Sequence, residues 1–356
     1  MFTHLLNLRF MKIAFIINDI KTEKANYTTT FLALTAHKRG HTVYVFGVGD
    51  LGYSVDGHMV AQARTPGEQK YKTTDTFFKA VVSSVPTRIS SSDLDVLFLR
   101  NDPSEDINER NWAQNAPYIF GQIAMRNGVI VLNHPASLSD AINKMYFQHF
   151  PEVLRPQTII TREPKDILEF YQQQKERIIL KPLQGSGGKN VFLVDKNSKS
   201  NLNQIIEAIS KDGFIIAQEY LPGAKDGDVR FFLMNGLPLQ KDGVYAAMRR
   251  VNEAGDIRSN IHAGGKAKNA EVDDDMLRLV QILKPKLVQD GMFLVGVDIV
   301  GNKLMEVNVF SPGALNTMTN MYGVDFGVSV IQAIENKVQY KKTYDRYVDN
   351  ITIATL

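Results

Sequence analysis

The segment Phe293–Pro312 reads FLVGVDIVGNKLMEVNVFSP and consists of two apolar runs separated by Gly301-Asn302. Two apolar runs joined by a short glycine-containing turn predict a β-hairpin. Asp298, Glu306 and Asn308 interrupt these runs. Burying carboxylates is costly unless a partner compensates for their lost hydration, and Mg²⁺ takes oxygen ligands of this kind together with substrate phosphates. The segment therefore predicts a metal-binding hairpin and points to nucleotide chemistry.

The metal-binding interpretation depends on the register of the hairpin. Glu306 and Asn308 are two residues apart and share a face of their strand. Asp298 joins them only if it pairs opposite Glu306, which requires a loop with an odd number of residues. A three-residue loop, Gly301-Asn302-Lys303, meets this requirement, whereas a two-residue turn would point Asp298 to the other face. The alternative is a solvated strand face without a metal, and the apolar neighbours of all three side chains argue against it.

Composition limits the class of protein. The chain has 356 residues, enough for two or three subdomains, and its 44% hydrophobic and 22% charged residues are those of a globular protein. The net charge is +3 with both signs interspersed, and no basic run is longer than two residues, as at Lys341-Lys342, so we expect no nucleic-acid partner. The absence of cysteine excludes disulfides and thiolate chemistry and suits the cytoplasm.

No apolar run approaches the roughly 20 residues that a membrane-spanning helix needs, so we expect no membrane association. The first ten residues, MFTHLLNLRF, are too short and too interrupted for the apolar region of a signal peptide. We expect them to form an extension that precedes the first strand.

The N-terminal third alternates strand-like and helical segments. A helix is predicted over Thr28–Arg39 and ends before Gly40, a residue typical of helix C-termini. Alternating strands and helices predict a parallel α/β layer. Residues 18–23 contain no glycine, which excludes the dinucleotide-binding fingerprint and argues against an NAD-dependent oxidoreductase. The predicted strands are Lys12–Ile17, His41–Phe46, Leu94–Leu99 and Val129–Leu132.

Two further units follow. The first begins near residue 133 and the second near Leu221, which precedes a strand at Val229–Met234 and the opening hairpin. A helix is predicted over Val272–Gln289, with a kink or break at Pro285. The strands and helix predicted for the earlier unit are Arg177–Lys181, Val191–Val194, Leu202–Lys211 (helical) and Phe214–Glu219.

A glycine-rich loop follows Lys181. A lysine supplies positive charge for a phosphate, and glycines let backbone N–H groups approach phosphate oxygens closely. The loop is not a Walker A motif, because Leu183 and Asn190 stand where that motif needs Gly and Ser or Thr. A glycine-rich hairpin without a chemical role remains the alternative. Further on, residues 218–222 predict a strand end that can offer backbone groups to an adenine edge, and a carboxylate a few residues later can accept ribose hydroxyls.

These motifs, in this order, resemble the ATP-grasp superfamily, and within it the chain is similar to bacterial glutathione synthetases. The resemblance is nearly collinear from Met11 to about Val338. It is carried by Asn143-Lys144-Met145-Tyr146, Ile179-Leu180-Lys181-Pro182-Leu183, Gln218-Glu219-Tyr220-Leu221-Pro222, Lys225-Asp226-Gly227-Asp228-Val229-Arg230, Arg258-Ser259-Asn260 with Gly264-Gly265, Val295-Gly296-Val297-Asp298-Ile299, and Glu306-Val307-Asn308-Val309 with Ser311-Pro312.

The resemblance implies an α/β fold in which an N-terminal parallel α/β domain precedes a two-subdomain ATP-grasp fold made of α+β subdomains. It also implies a ligase that binds ATP between these subdomains, converts a substrate carboxylate to an acyl phosphate and transfers the acyl group to an amine. The resemblance further implies two bound Mg²⁺ ions, for which Mn²⁺ is an alternative. It also implies small-molecule substrates and a homodimer or homotetramer. The expected boundaries are residues 1–10 (extension), 11–132 (substrate-side domain), 133–220 (lid subdomain), 221–345 (metal-binding subdomain) and 346–356 (tail).

Site residues follow from the matched motifs. Any one of the implied catalytic arginines has the alternative role of a surface ion-pair residue. The resemblance implies catalytic roles for Arg230, Arg250 and Arg258; ATP binding by Lys144, Lys181, Gly185, Ser186, Gly187, Gly188, Gln218, Glu219, Tyr220, Leu221 and Asp228; substrate binding by Asn260, Gly264, Gly265 and Ser311; and metal binding by Asp298, Glu306 and Asn308.

Two segments depart from the family pattern. Where the family typically reads R-K-D-P-P-F, residues 100–105 read RNDPSE, so that Asn101 replaces a lysine. Where the family reads N-V-T-S-P-T, residues 308–313 read NVFSPG, with Phe310 and Gly313 in place of threonines. The leading substrates are γ-glutamylcysteine and glycine. The alternatives are an ATP-grasp ligase for another amino acid, dipeptide or peptide, and a nucleotide-binding protein that has lost catalysis.

Overall fold

The structure is a computed structural model, and it describes residues 10–107, 109–185, 188–251, 266–344 and 347–356. The described elements fall into three units, each with its own main sheet. The first unit comprises β1 (Lys12–Ile17), α1 (Thr28–Lys38), β2 (Thr42–Gly47), β3 (Leu51–Tyr53), β4 (Met59–Ala63), α2 (Thr74–Ser83), β5 (Thr87–Ser90), β6 (Val96–Leu99), α3 (Ala116–Arg126), β7 (Ile130–Leu132) and α4 (Pro135–Asp140).

The main sheet of the first unit is parallel, with strand order β2-β1-β6-β7. Its strands are mostly apolar because helices cover both faces of such a sheet, and the exposed polar residues Lys12 and Thr42 stand at the starts of β1 and β2. The prediction of a parallel α/β layer is confirmed, and Gly40 follows α1 with a φ of +91°. The small antiparallel sheet β3-β4-β5 had not been predicted from the sequence.

The second unit is a four-stranded antiparallel sheet with the order β10-β9-β11-β8. Two helices pack on it, and the apolar core between them is separate from the cores of the other units. Its elements are β8 (Thr158–Thr161), α5 (Pro164–Gln173), β9 (Ile178–Pro182), β10 (Phe192–Val194), α6 (Leu202–Ser210) and β11 (Ile215–Glu219).

The third unit is built on an antiparallel sheet with the order β17-β16-β12-β18-β19, in which β13 also pairs with β12. Its strands are β12 (Asp228–Met234), β13 (Leu237–Pro238), β14 (Gln240–Lys241), β15 (Val244–Tyr245), β16 (Ala247–Val251), β17 (Lys266–Asn269), β18 (Leu294–Val300) and β19 (Lys303–Asn308). Its helices are α7 (Asp274–Gln289), α8 (Leu315–Tyr322), α9 (Phe326–Tyr344) and α10 (Asn350–Thr355).

Helix α7 runs unbroken through Pro285, so of the kink or break that the sequence predicted there, the break is wrong. A proline inside a helix removes one backbone hydrogen bond, which costs about 3 kcal/mol in isolation. Buried side chains on both sides of the proline, among them Met276, Leu283 and Leu287, hold the helix against the sheet. Tertiary packing therefore outweighs the local cost.

The hairpin of β18 and β19 places Asp298 opposite Glu306, as the sequence predicted. The predicted three-residue loop is wrong, however, because Val300 pairs with Lys303 around a two-residue turn. Ile299 pairs with Leu304, so Met305 is an extra residue between the two pairs. A β-bulge of this kind shifts the alternation of side chains by one residue. The bulge, and not the loop length, brings Asp298 and Glu306 into register.

The first and third units share their apolar cores. The rings of Phe98 in β6 and Phe293, just before β18, lie 5.7 Å apart. The buried Asn133 side chain donates to the carbonyl oxygens of Leu294 (3.2 Å) and Val309 (2.6 Å) and accepts from the Leu294 N–H (3.0 Å). These contacts attach both ends of the hairpin to the first unit. Among the residues that the structure describes, no helix has the length and apolar character needed to cross a membrane.

Candidate active site

A cleft lies where the three units meet, and its empty volume is about 850 Å³ with open solvent included. Residues 102–104 of the first unit, residues 141–148, the end of β9, Gln218 of β11 and residues 305–311 form its walls. The implied site residues that line the cleft are Lys144, Lys181, Gly185, Gln218, Glu306, Asn308 and Ser311.

Two lysines enter the cleft from neighbouring elements. Lys181 lies in β9, and its ammonium donates to Gln218 Oε1 at 2.9 Å. Gln218 in turn donates to Thr158 Oγ1 at 3.0 Å, which orients the amide oxygen towards the lysine. Burial and the nearby charge of Lys144 lower the pKa of Lys181 to about 8, although the charge of Glu306 offsets part of the decrease. A partly buried lysine that binds no carboxylate among the described residues is suited to an anionic ligand.

Lys144 supports the glycine-rich loop. Its ammonium donates to the carbonyl oxygen of Gly185 at 2.6 Å, and its backbone N–H donates to the carbonyl of Leu183 at 3.1 Å. Burial lowers the pKa of Lys144, and the charges of Glu306 and Asp102 offset part of that decrease. The start of the loop is therefore fixed by a side chain from another segment. Gly188 does not line the cleft, and Ser186 and Gly187 lie outside the described residues.

The segment after β11 approaches the cleft without lining it. Glu219 accepts a hydrogen bond from the backbone N–H of Gln157 at 3.0 Å. The guanidinium of Arg177 lies 3.9 Å from the centroid of the Tyr220 ring, and Leu221 is buried. These side chains hold the strand end in place. An adenine at this edge would contact the backbone of residues 219–221, because their side chains are engaged elsewhere.

Two arginines and two aspartates on three neighbouring strands form a network of ion pairs. Arg250 of β16 donates from Nε to Asp228 Oδ1 at 2.7 Å and from Nη2 to Asp228 Oδ2 at 2.8 Å. Arg250 Nη2 also lies 2.7 Å from Asp298 Oδ2 of β18. Arg230, on the intervening strand β12, binds both oxygens of Asp298, with 2.9 Å between Nη2 and Oδ2. All four side chains are buried, and their formal charges cancel.

The ion pairs determine the protonation of the network. Burial alone would raise the pKa of Asp298, but the attraction of Arg230 and Arg250 outweighs it and lowers the pKa. Burial would likewise lower the pKa of Arg250, whereas Asp298 and Asp228 raise it. The backbone also approaches closely here, since a methyl group at Gly227 would lie 1.8 Å from the carbonyl oxygen of Arg250. Only glycine fits at this position.

The donor atoms of Glu306 and Asn308 fit a magnesium ion. Both side chains line the cleft, and Glu306 makes no hydrogen bond or ion pair with another residue in the described part of the chain. Asn308 Nδ2 lies 3.5 Å from Asp298 Oδ2. Both oxygens of Asp298 already accept from arginines, so a metal would have to share them. The described residues contain no group of three His, Cys, Asp or Glu side chains that could hold a metal.

Several residues of the cleft had no separate signal in the sequence. Asp102 and Ser104 line it, and Ser104 donates to Asp102 Oδ1 at 2.6 Å. Arg100 is buried and donates to the carbonyl oxygens of Phe310 (3.3 Å) and Pro312 (3.0 Å). The two segments that depart from the family pattern therefore meet here. The departure of both segments from the family pattern was the signal in the sequence that could have identified these residues. Arg258, Asn260, Gly264 and Gly265 lie outside the described residues.

Comparison with known proteins agrees with this geometry. The family model "Prokaryotic glutathione synthetase, N-terminal domain" matches residues 11–139, and the model "Prokaryotic glutathione synthetase, ATP-grasp domain" matches residues 143–323. The glutathione synthetase of Escherichia coli strain K12 is 30% identical over 333 residues, 92% of this chain and 99% of that protein. The glutathione synthetase of Ralstonia nicotianae is 31% identical over 330 residues, 91% and 95% of the two chains.

Among solved structures, the crystal structure of D-cycloserine synthetase DcsG matches with a TM-score of 0.61. The match covers 92% of this chain and 99% of that one at 14% sequence identity. Such a distant likeness supports the fold alone. Together with the family models it establishes an ATP-grasp fold behind a parallel α/β domain.

Proposed function

Because the chain belongs to the prokaryotic glutathione synthetase family, we propose that it is an ATP-dependent ligase that joins γ-glutamylcysteine to glycine. The observation that carries this proposal is the cleft in which Lys144, Lys181 and Gln218 face the carboxylate of Glu306. Cationic groups and metal-binding oxygen atoms in one cleft suit the triphosphate of a nucleotide. The ligase class follows from the family, and the choice of these two substrates is the part that needs an experiment.

The residues of the chain have separate roles in this reaction. Lys144 and Lys181 bind the phosphates, and backbone groups near Glu219, Tyr220 and Leu221 hold the adenine. The carboxylate of the dipeptide attacks the γ-phosphate, ADP leaves and an acyl phosphate forms. The amine of glycine then attacks the acyl carbon, and inorganic phosphate leaves with the electron pair of the broken C–O bond. Positioning and charge neutralisation account for most of the catalysis of phosphoryl transfer.

The metal and the arginines complete the proposed site. Glu306 and Asn308 would hold Mg²⁺, with Asp298 as a further ligand, and the ion would neutralise charge on the phosphates. We propose two ions, for which Mn²⁺ can substitute. Arg230 and Arg250 keep Asp298 ionised and supply positive charge next to the reacting groups. We propose that the second substrate or the reacting groups are contacted by Arg258, Asn260, Gly264, Gly265 and Ser311. Asp228 is proposed to accept the ribose hydroxyls. The phosphates are proposed to be contacted by Gly185, Ser186, Gly187 and Gly188.

The test is coupled ADP release from purified protein with ATP, Mg²⁺, γ-glutamylcysteine and glycine. Matched reactions replace glycine with other amino acids, or γ-glutamylcysteine with other dipeptides. Turnover that requires both substrates, with glutathione identified by mass spectrometry, supports the proposal. Preference for another pair would instead support an ATP-grasp ligase of different specificity, which the departures at Asn101 and Phe310 favour. Tight ATP binding without turnover on any pair would support a protein that has lost catalysis.

The remaining expectations from the family resemblance stand as proposals. We propose subdomain boundaries after residues 132 and 220, a homodimer or homotetramer, and a cytoplasmic location. Size-exclusion chromatography with light scattering tests the oligomeric state.

A further inference from the structure

The two departures from the family pattern are connected through a residue that belongs to neither segment. Asn101 is buried, and its Nδ2 donates to the hydroxyl of Tyr118 at 3.2 Å. Tyr118 in α3 is fully buried, and its ring centroid lies 5.7 Å from that of Phe310 at an angle of 45°. Phe310 lines the cleft next to Ser311. Tyr118 therefore contacts both unusual side chains, and it links the buried Asn101 to Phe310, which lines the cleft.

Gly313, the third departure, is not part of this connection. A methyl group built at Gly313 would meet no atom within 4 Å, so the position tolerates a side chain without a change elsewhere. Asn101 and Phe310, in contrast, both contact Tyr118, so a substitution at either position removes one of the two contacts of that tyrosine. The amide oxygen of Asn101 is buried without a hydrogen-bond partner among the described residues, so the bond to Tyr118 is the polar contact of that side chain.

The backbone around Phe310 is held separately. Arg100 donates to the carbonyl oxygens of Phe310 (3.3 Å) and Pro312 (3.0 Å), and Thr28 Oγ1 accepts from the Leu315 N–H at 3.2 Å. These bonds involve main-chain atoms and do not depend on the ring of Phe310. The contact with Tyr118 consequently determines the orientation of the Phe310 side chain. The position of the backbone around Phe310 is determined by Arg100 and Thr28.

We propose that Tyr118 is a specificity-determining positioning residue. It is oriented by Asn101, it orients the ring of Phe310, and it thereby shapes the end of the cleft that binds the dipeptide or the amine. That end is formed by Phe310 and Ser311 with Asp102 and Ser104, and the lysines proposed to bind the phosphates line the same cleft. The proposal rests on the proposed function in that it assigns this end of the cleft to the second substrate.

Ring contacts of this kind contribute about 0.5–1.5 kcal/mol, which corresponds to a change of about twofold to tenfold in binding. Phe310→Leu and Tyr118→Leu should each raise KM for γ-glutamylcysteine or glycine by about threefold to tenfold and leave KM for ATP within about twofold. The double variant should be no worse than either single variant, because both remove one contact. Tyr171→Phe is the matched control, since Tyr171 is a buried tyrosine of the second unit whose hydroxyl has no partner among the described residues.

A second pair of variants tests the role of Asn101. Tyr118→Phe keeps the ring and leaves the buried amide of Asn101 unpaired, which should shift KM for the same substrate and lower stability. Adding Asn101→Leu removes both polar groups and should restore part of each loss, because two apolar partners are less costly than one unpaired polar group. Urea unfolding of the four proteins in this cycle measures the coupling without any turnover.

The results separate the two proposals. If the wild type prefers another dipeptide or amine, the substrate assignment fails, and the same variants are measured on the preferred pair. Additive effects of Tyr118→Leu and Phe310→Leu, or an equal change in KM for ATP, would overturn the inference while the wild type still makes glutathione. Zero coupling between Asn101→Leu and Tyr118→Phe in the unfolding cycle would overturn it even for a protein without measurable turnover.

Discussion

Arg250 Nη2 lies 2.7 Å from Asp298 Oδ2 although β12 separates their strands in the sheet. Arg230 on that intervening strand binds the same carboxylate. A buried carboxylate held by two guanidiniums is stable only as a complete set, since removal of one partner leaves uncompensated charge. Asp298 is therefore part of the structural core of the site as well as a proposed metal ligand.

Asp298→Asn should destabilise the protein by about 3–5 kcal/mol at pH 7, because two buried arginines lose a charged partner. The pKa of Asp298 is lowered from 3.8, so its contribution to stability is present above that value and is lost as the pH falls through the folded pKa. The difference between wild type and variant should thus be constant between about pH 7 and pH 5 and shrink as the pH falls below about 5. Urea unfolding across this range is the measurement, with the exposed Asp275→Asn as control. A pH-independent difference would contradict the prediction.

Glu306→Gln should lower kcat by at least about 100-fold, because the substitution removes a charge from the proposed metal site. The fold should be unaffected, since Glu306 makes no hydrogen bond or ion pair with another described residue. Steady-state ADP release at saturating Mg²⁺ and thermal unfolding are measured on the same preparation. Glu169→Gln, on an exposed helix face, is the control. Turnover close to that of the wild type would remove Glu306 from the metal site.

Lys181→Met should stabilise the protein without nucleotide and weaken ATP binding. The folded pKa of about 8 lies below the ordinary value of 10.5, so the unfolded chain binds more protons between these values and stability rises with pH across that window. The cost of the buried charge is complete below pH 8, and removing it should gain roughly 1–3 kcal/mol at pH 7. Urea unfolding and ATP titration calorimetry measure the two effects, with the exposed Lys165→Met as control. Unchanged ATP affinity would refute the phosphate-binding role.

Arg100→Met should destabilise the protein by about 2–4 kcal/mol, because two backbone carbonyls at residues 310 and 312 lose their donors in a buried site. It should also raise KM for γ-glutamylcysteine more than KM for ATP, since those carbonyls flank Ser311. Burial lowers the pKa of Arg100 to about 10, so the guanidinium stays charged near neutral pH. Arg88→Met, on an exposed strand, is the control for unfolding and kinetics. Equal stability of the two variants would contradict the prediction.

Local patterns in the sequence were sufficient to locate many strands of the three main sheets. Apolar runs located β1, β6, β12 and the β18–β19 hairpin, because burial on both faces leaves little room for polar residues in such strands. The small sheet β3-β4-β5 was missed, since its short strands carry no comparable run. The break expected at Pro285 was wrong because packing on both sides of a proline cannot be read from local propensity.

The sequence by itself determined the family, the order of the three units and the residue types of the cleft, because motifs with fixed spacing survive as contiguous stretches of chain. Only the tertiary structure decided which charges compensate each other. Asp228, Arg250, Asp298 and Arg230 lie on three different strands, and their pairing follows from strand order and register. The same holds for Tyr118, which lies 17 residues from Asn101 and contacts Phe310 across two units. Contacts between distant segments depend on how the units pack, and no local pattern of residues encodes them.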